Sequence, residues 1–112
     1  MAEKVIIDTD PGIDDAFALF YAFRSPLFEV LGLTTAYGNA SIDQVTHNAQ
    51  ALVDLAGVTC PVAKGAADPI RIERRPYPVM VHGEDGMGGQ SPQIVAAPLS
   101  QQTAADFIID TV

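Results

Sequence analysis

Val5-Ile6-Ile7-Asp8-Thr9-Asp10-Pro11-Gly12-Ile13-Asp14-Asp15-Ala16-Phe17-Ala18-Leu19-Phe20-Tyr21-Ala22-Phe23 is the stretch whose reading decides the fold of this chain. A short β-branched run meets Pro-Gly, which stops either regular structure, so a buried strand gives way to a loop. From Asp14 the residues suit a helix, and two acids open it where the helix dipole favours negative charge. The nearly all-apolar faces of that helix predict packing against a sheet. Ser25-Pro26 ends it.

Outward from there the alternation continues. Val30 to Thr35 reads as a second buried strand, with Tyr37-Gly38-Asn39 as the loop leaving it. Ser41 and Gln44 have capping-box spacing, and Ile42, Val45, Ala49, Leu52, Val53 and Ala56 follow at helical intervals up to Gly57. Pro61-Val62-Ala63 is a shorter strand candidate closed by Gly65. Residues 66–99 hold five prolines and four glycines with no sustained period, and a connection of that length is expected to be a functional lid or a mobile segment. Gln101 to Val112 carries Ala105, Ile108, Ile109 and Val112 on one helical stripe, with Ser100 as its cap. Its apolar face still runs at the last residue, which is expected of a chain cut within a larger domain.

Strand, helix, strand, helix, strand predicts an α/β fold: the N-terminal half of an open, doubly wound, Rossmann-like sheet, mainly parallel, with flanking helices. The loops at Asp8–Asp15, Tyr37–Asn39 and Gly65–Pro69 then share the sheet edge where such folds bind ligands.

Composition narrows the function. The 112 residues are 48% hydrophobic, enough for one modest core and too apolar for disorder. Six Lys and Arg against 14 Asp and Glu give a net charge of −8, which argues against nucleic acid or an anionic membrane as partner. No apolar run is long enough to span a bilayer, and Met1–Lys4 does not open a signal peptide. The single cysteine, Cys60, cannot form an intrachain disulfide, so a cytoplasmic location is expected. With no base near it in sequence, it is not read as a nucleophile.

Asp8, Asp10, Asp14 and Asp15 place four carboxylates within eight residues. Crowded like charges must share protons, splay into water, or surround a cation. The helix dipole alone accounts for Asp14 and Asp15. The whole set, turned by Pro11-Gly12, points instead to a hard cation such as Ca²⁺ or Mg²⁺. An EF-hand is excluded, since Gly12 and Ile13 stand where its fifth and sixth positions need an Asp or Asn and a Gly.

Asp8-Thr9-Asp10-Pro11-Gly12-Ile13-Asp14-Asp15-Ala16 resembles the N-terminal signature of the inosine-uridine-preferring nucleoside hydrolases. Thr34-Thr35 through Gly38-Asn39, Thr46-His47-Asn48-Ala49, Val62-Ala63-Lys64-Gly65 and His82-Gly83-Glu84-Asp85-Gly86-Met87-Gly88 resemble that family in the same order and spacing. The resemblance implies that residues 1–112 are the N-terminal part of one hydrolase domain. It also implies that the intact enzyme cleaves ribonucleosides to ribose and free base with one bound Ca²⁺. By the matched motif, Asp10 ligates the metal and is the catalytic base, Asp15 is a second ligand, and Asp8 supports the metal site from its strand. Asp14 and Asn39 bind ribose hydroxyls, and His82 lies near the substrate. His47 is expected to be structural, Tyr77 to pack locally or close over a ligand, and Arg71, Arg74 and Arg75 to be solvated.

The resemblance breaks at the end of the chain, where the family's later metal ligands and base-contacting residues are missing. Activity of the 112 residues alone is therefore not expected, and the sheet edge awaits the missing C-terminal half or another copy of the chain. Two other readings use the same residues. Asp8-Thr9-Asp10 after a strand also resembles the nucleophile and acid of haloacid-dehalogenase phosphatases, although Gly12 stands where that family has Thr or Val. The third is a non-catalytic fragment that binds a cation or a partner.

Overall fold

The computed structural model of the chain describes residues 2–70, 76, 85–88, 95 and 97–112. Strand β1 (Glu3–Thr9) leads through the acidic loop into helix α1 (Ile13–Arg24), followed by β2 (Phe28–Thr35), α2 (Ile42–Ala56), β3 (Val62–Lys64), β4 (Leu99–Thr103) and α3 (Ala104–Thr111). The four strands form one parallel sheet in the order β1-β2-β3-β4. β1 and β2 run in register from Glu3 beside Phe28 to Thr9 beside Thr35, with a bulge between Val5 and Ile6. This is the expected α/β arrangement, and the predicted α1, β2 and α2 match to within two residues.

The core lies between the sheet and the first two helices. Leu19 of α1 and Ala49, Leu52 and Val53 of α2 pack with Leu33 and Val62 of the sheet, and Ile7, Phe20 and Val30 flank them. Full burial of each Leu or Val contributes about 1.5–3 kcal/mol. Only Leu19 and Ala22 of α1 are buried, while Phe17 and Tyr21 are 73% and 65% exposed, so the apolar outer face of that helix is not covered by the sheet. On the other face of the sheet, Phe107 of α3 sits against Gly32, and Ile108 shares a cavity with Val5, Ile6, Asp8, Leu31 and Thr34. Helices therefore flank the sheet on both sides, as the doubly wound reading requires.

Helix ends follow local chemistry. The Ser41 hydroxyl accepts from the Gln44 amide at 3.2 Å, and Gly57 ends α2 in the left-handed conformation. The Gln44 side chain does not reach back to complete the capping box; it donates to Asn48 Oδ1 at 2.9 Å. A buried relay fixes α2 to the strand ends. The Gly65 amide donates to Thr35 Oγ1 (3.3 Å), Thr35 and Thr46 share a hydrogen bond (2.8 Å), and Thr46 donates to the Ile42 carbonyl (2.6 Å).

One element differs from the expectation. The predicted helix from Gln101 starts at Ala104, because Leu99–Thr103 is a strand paired with β3. Its polar, largely exposed Ser-Gln-Gln-Thr run carries neither alternation nor an apolar block, and backbone pairing alone makes it a strand. The cap of α3 is consequently Thr103, whose hydroxyl accepts from the Asp106 amide at 3.2 Å, and not Ser100. The lid expectation for residues 66–99 falls mostly outside the described residues. Among the described residues, no helix is long and apolar enough to cross a membrane.

Candidate active site

The acidic loop leaves the carboxyl end of β1 and meets the Tyr37–Asn39 loop leaving β2. Parallel pairing brings them together, since Thr9 and Thr35 are register partners and the Ala36 amide donates to the Thr9 carbonyl at 3.1 Å. Asp10 and Asn39 then lock the two loops twice. The Asn39 amide donates to Asp10 Oδ2 at 3.0 Å, and Asn39 Nδ2 donates to the Asp10 carbonyl at 2.9 Å. Gly38 leaves the space that Asp10 occupies, because a Cβ there would stand 2.2 Å from Asp10 Oδ2.

Asp15, on the first turn of α1, returns its carboxylate to Asp10. Thr9 is buried and donates to Asp15 Oδ2 at 2.8 Å, which orients it. Burial raises the Asp10 pKa above its ordinary 3.8, the hydrogen bond and charge of Asp15 raise it further, and the Asn39 amide pulls the other way. Two carboxyls in contact hold a proton between them or a cation beside them. Asp10 and Asp15 therefore fit one side of a hard-cation site built from oxygen donors. No third His, Cys, Asp or Glu joins them among the described residues.

The other predicted residues separate. Asp8 accepts from Thr34 Oγ1 at 2.7 Å and lines the cavity beneath Ile108, on the α3 side of the sheet. Asp14 is exposed on the first turn of α1, one residue before Asp15. His82, Tyr77, Arg71, Arg74 and Arg75 lie outside the described residues. Cys60 is buried, and that burial pushes its thiol up to about 11, so it remains protonated at neutral pH. Sequence reasoning missed Thr9 and Gly38 as supports of the carboxylate pair. A threonine between two aspartates, and a glycine before the asparagine that holds one of them, were the available signals.

The fold of this chain is shared with solved nucleoside hydrolases. A plant nucleoside hydrolase superposes with a TM-score of 0.90 at 41% identity, over 98% of this chain and 35% of that one. The family model for inosine-uridine preferring nucleoside hydrolases matches residues 5–112, and the chain belongs to that family. It is 46% identical to "Probable uridine nucleosidase 2" of Oryza sativa subsp. japonica over 98% of this chain and 33% of that protein. It is 41% identical to the inosine-uridine preferring nucleoside hydrolase of Leishmania major over 100% of this chain and 36% of that one. The chain thus spans about a third of the length of the curated relatives it matches.

Proposed function

We propose that these residues form the N-terminal third of a ribonucleoside hydrolase, which cleaves the N-glycosidic bond to give ribose and a free base in nucleoside breakdown. The observation that carries this is the Asp10–Asp15 pair with Asn39 locked onto Asp10, in a chain of this family. Asp10 is the general base, positioned by Asn39 to take a proton as water attacks the anomeric carbon. Asp14, exposed on the first turn of α1, and the Asn39 side chain take ribose hydroxyls, and His82 is assigned a role in substrate binding by the family motif. Carboxylates beside the sugar also stabilise the positive charge that develops on the ring as the bond to the base breaks.

Asp10 and Asp15 would hold a Ca²⁺ ion, with Asp8 and its Thr34 contact supporting the strand end from below. When bound, the ion supplies a Lewis acid that acidifies water and fixes a ribose diol. Its remaining donors come from the two-thirds of the family's length that the chain does not include, so the 112 residues alone are inactive. The single reduced cysteine suits a cytoplasmic enzyme. The test is release of base from inosine and uridine by a protein containing these residues at full family length, with and without a chelator. The expected result is chelator-sensitive cleavage that Asp10→Asn slows about a hundredfold or more; full activity in that variant refutes the assignment.

A further inference from the structure

Asn48 is fully buried at 0% exposure in the middle of α2, and its amide reaches two segments far apart in sequence. Nδ2 donates to the Pro11 carbonyl at 3.1 Å and to the Asp85 carbonyl at 2.6 Å. The Gln44 side chain donates to Oδ1 at 2.9 Å, so the oxygen is turned toward Gln44 and the NH₂ toward the two carbonyls. Both carbonyls only accept, and among side chains of this size only an Asn amide supplies two hydrogens with that shape.

The Pro11 carbonyl belongs to the acidic loop, and the Asp85 carbonyl to a turn packed beside it. Pro11 follows Asp10 directly and precedes Asp14 by three residues. Asp85 opens a tight turn in which its carboxylate accepts from the Met87 amide at 2.9 Å and Gly86 holds φ +77°. A side chain at Gly86 is disfavoured by that φ, and a Cβ would come within 3.4 Å of Ala40 Cβ and Asn48 Nδ2 and 3.5 Å of the Pro11 carbonyl. Met87 anchors the turn by packing against the core cluster.

We infer that Asn48 is a positioning residue for the hydrolysis proposed above: its amide struts the acidic loop against the Asp85–Gly88 turn and so sets where Asp10 and Asp14 stand. It touches neither carboxylate and acts through the backbone on either side of them. The inference rests on the nucleosidase reading for its effect on catalysis, whereas the coupling of the two segments stands by itself.

Asn48→Asp tests both parts. It keeps the shape and the Oδ1 acceptor but turns an oxygen toward two carbonyl oxygens. At full family length, kcat on inosine or uridine is expected to fall roughly tenfold to a hundredfold, the effect of displacing a reacting group by about an ångström. Thr46→Val is the matched control, since it removes buried α2 hydrogen bonds without touching the loop, and it is expected to lower stability with kcat changed less than about twofold. Equal kcat losses in the two variants, or none in Asn48→Asp, overturn the positioning role. If the unsubstituted protein releases no base, the functional reading fails, and amide exchange of the 112-residue chain still decides the coupling. Asn48→Asp must then accelerate exchange at both Met87 and Ala16 about tenfold or more while Thr46→Val does not. Acceleration at one site only, or at neither, sinks it. Should Asn48→Asp not fold, Gly86→Ala presses on the same junction from the turn, and unchanged exchange at Ala16 in that variant is the refuting result.

Discussion

Replacing Gly38 by alanine tests the heart of the site with a single methyl group. The φ of Gly38 lies outside the left-handed region, so alanine fits the backbone and any effect arises from contact. The added Cβ would stand 2.2 Å from Asp10 Oδ2, 3.0 Å from Cγ and 3.3 Å from Cβ, where ordinary contact begins at 3.4 Å. The carboxylate oxygen must retreat by about 1.2 Å, or the Gly38–Asn39 backbone must move by as much. Either movement strains the 3.0 Å bond from the Asn39 amide to Asp10 Oδ2. Overpacking typically costs about 1–3 kcal/mol, and a half-buried carboxylate that can swing toward water places this variant near the lower end. A displacement of about an ångström at a reacting group costs roughly 10² in rate, so catalysis suffers far more than stability. The assay is kcat/KM for inosine and uridine at full family length, paired with urea denaturation. A Gly38→Ala protein within threefold of the parent in kcat/KM refutes the assignment of Asp10 as the base, or the close approach of Gly38 to it.

Asp10→Asn is expected to lower kcat by about 10²–10⁴, the usual contribution of a general base. In chelator the same change should stabilise the fold. A carboxyl whose folded pKa is raised gives stability that is present below its ordinary 3.8 and lost as pH rises through the folded value, so melting temperature should fall with pH above about 3.8 in the parent and less so in the variant. Thr103→Ala should cost about 0.5–2 kcal/mol in denaturant unfolding while Ser100→Ala costs little, and the reverse ranking would return the α3 cap to Ser100. Cys60, protonated at pH 8 and buried, should resist a thiol reagent until the chain unfolds, and stoichiometric labelling of native protein at that pH would contradict its burial.

Most of the fold was legible because its elements are punctuated by residues with strong local preferences. Pro11-Gly12, Ser25-Pro26, Ser41 and Gly57 each mark a boundary where the structure has one, and the apolar Val30–Thr35 run could only be a buried strand. β4 was illegible for the opposite reason: Leu99 and Thr103 pair with β3 through the backbone, and the polar Ser100–Gln102 run between them carries no side-chain signature of a strand. In the site, the acidic motif announced the carboxylates but not their partition. Alternation along β1 sends Asp8 to the Thr34 side, while the reversal after Gly12 returns Asp15 to Asp10, and that geometry depends on the pairing of β1 with β2. The reach of Asn48 to Pro11 and Asp85, residues 37 positions away on either side, is set by tertiary packing and has no local trace.

Among the described residues β1 is one of the two edge strands, and the acidic loop hangs from its end at the rim of the sheet. Its outer side offers unpaired backbone groups to one further strand, and a strand accepted there in parallel would deliver its own exit loop alongside Asp10. The hydrolase proposed above, if built at such a seam, lends itself to splitting. Two inert pieces, expressed separately, would regain turnover only on docking, which makes recovered catalysis a direct gauge of their association.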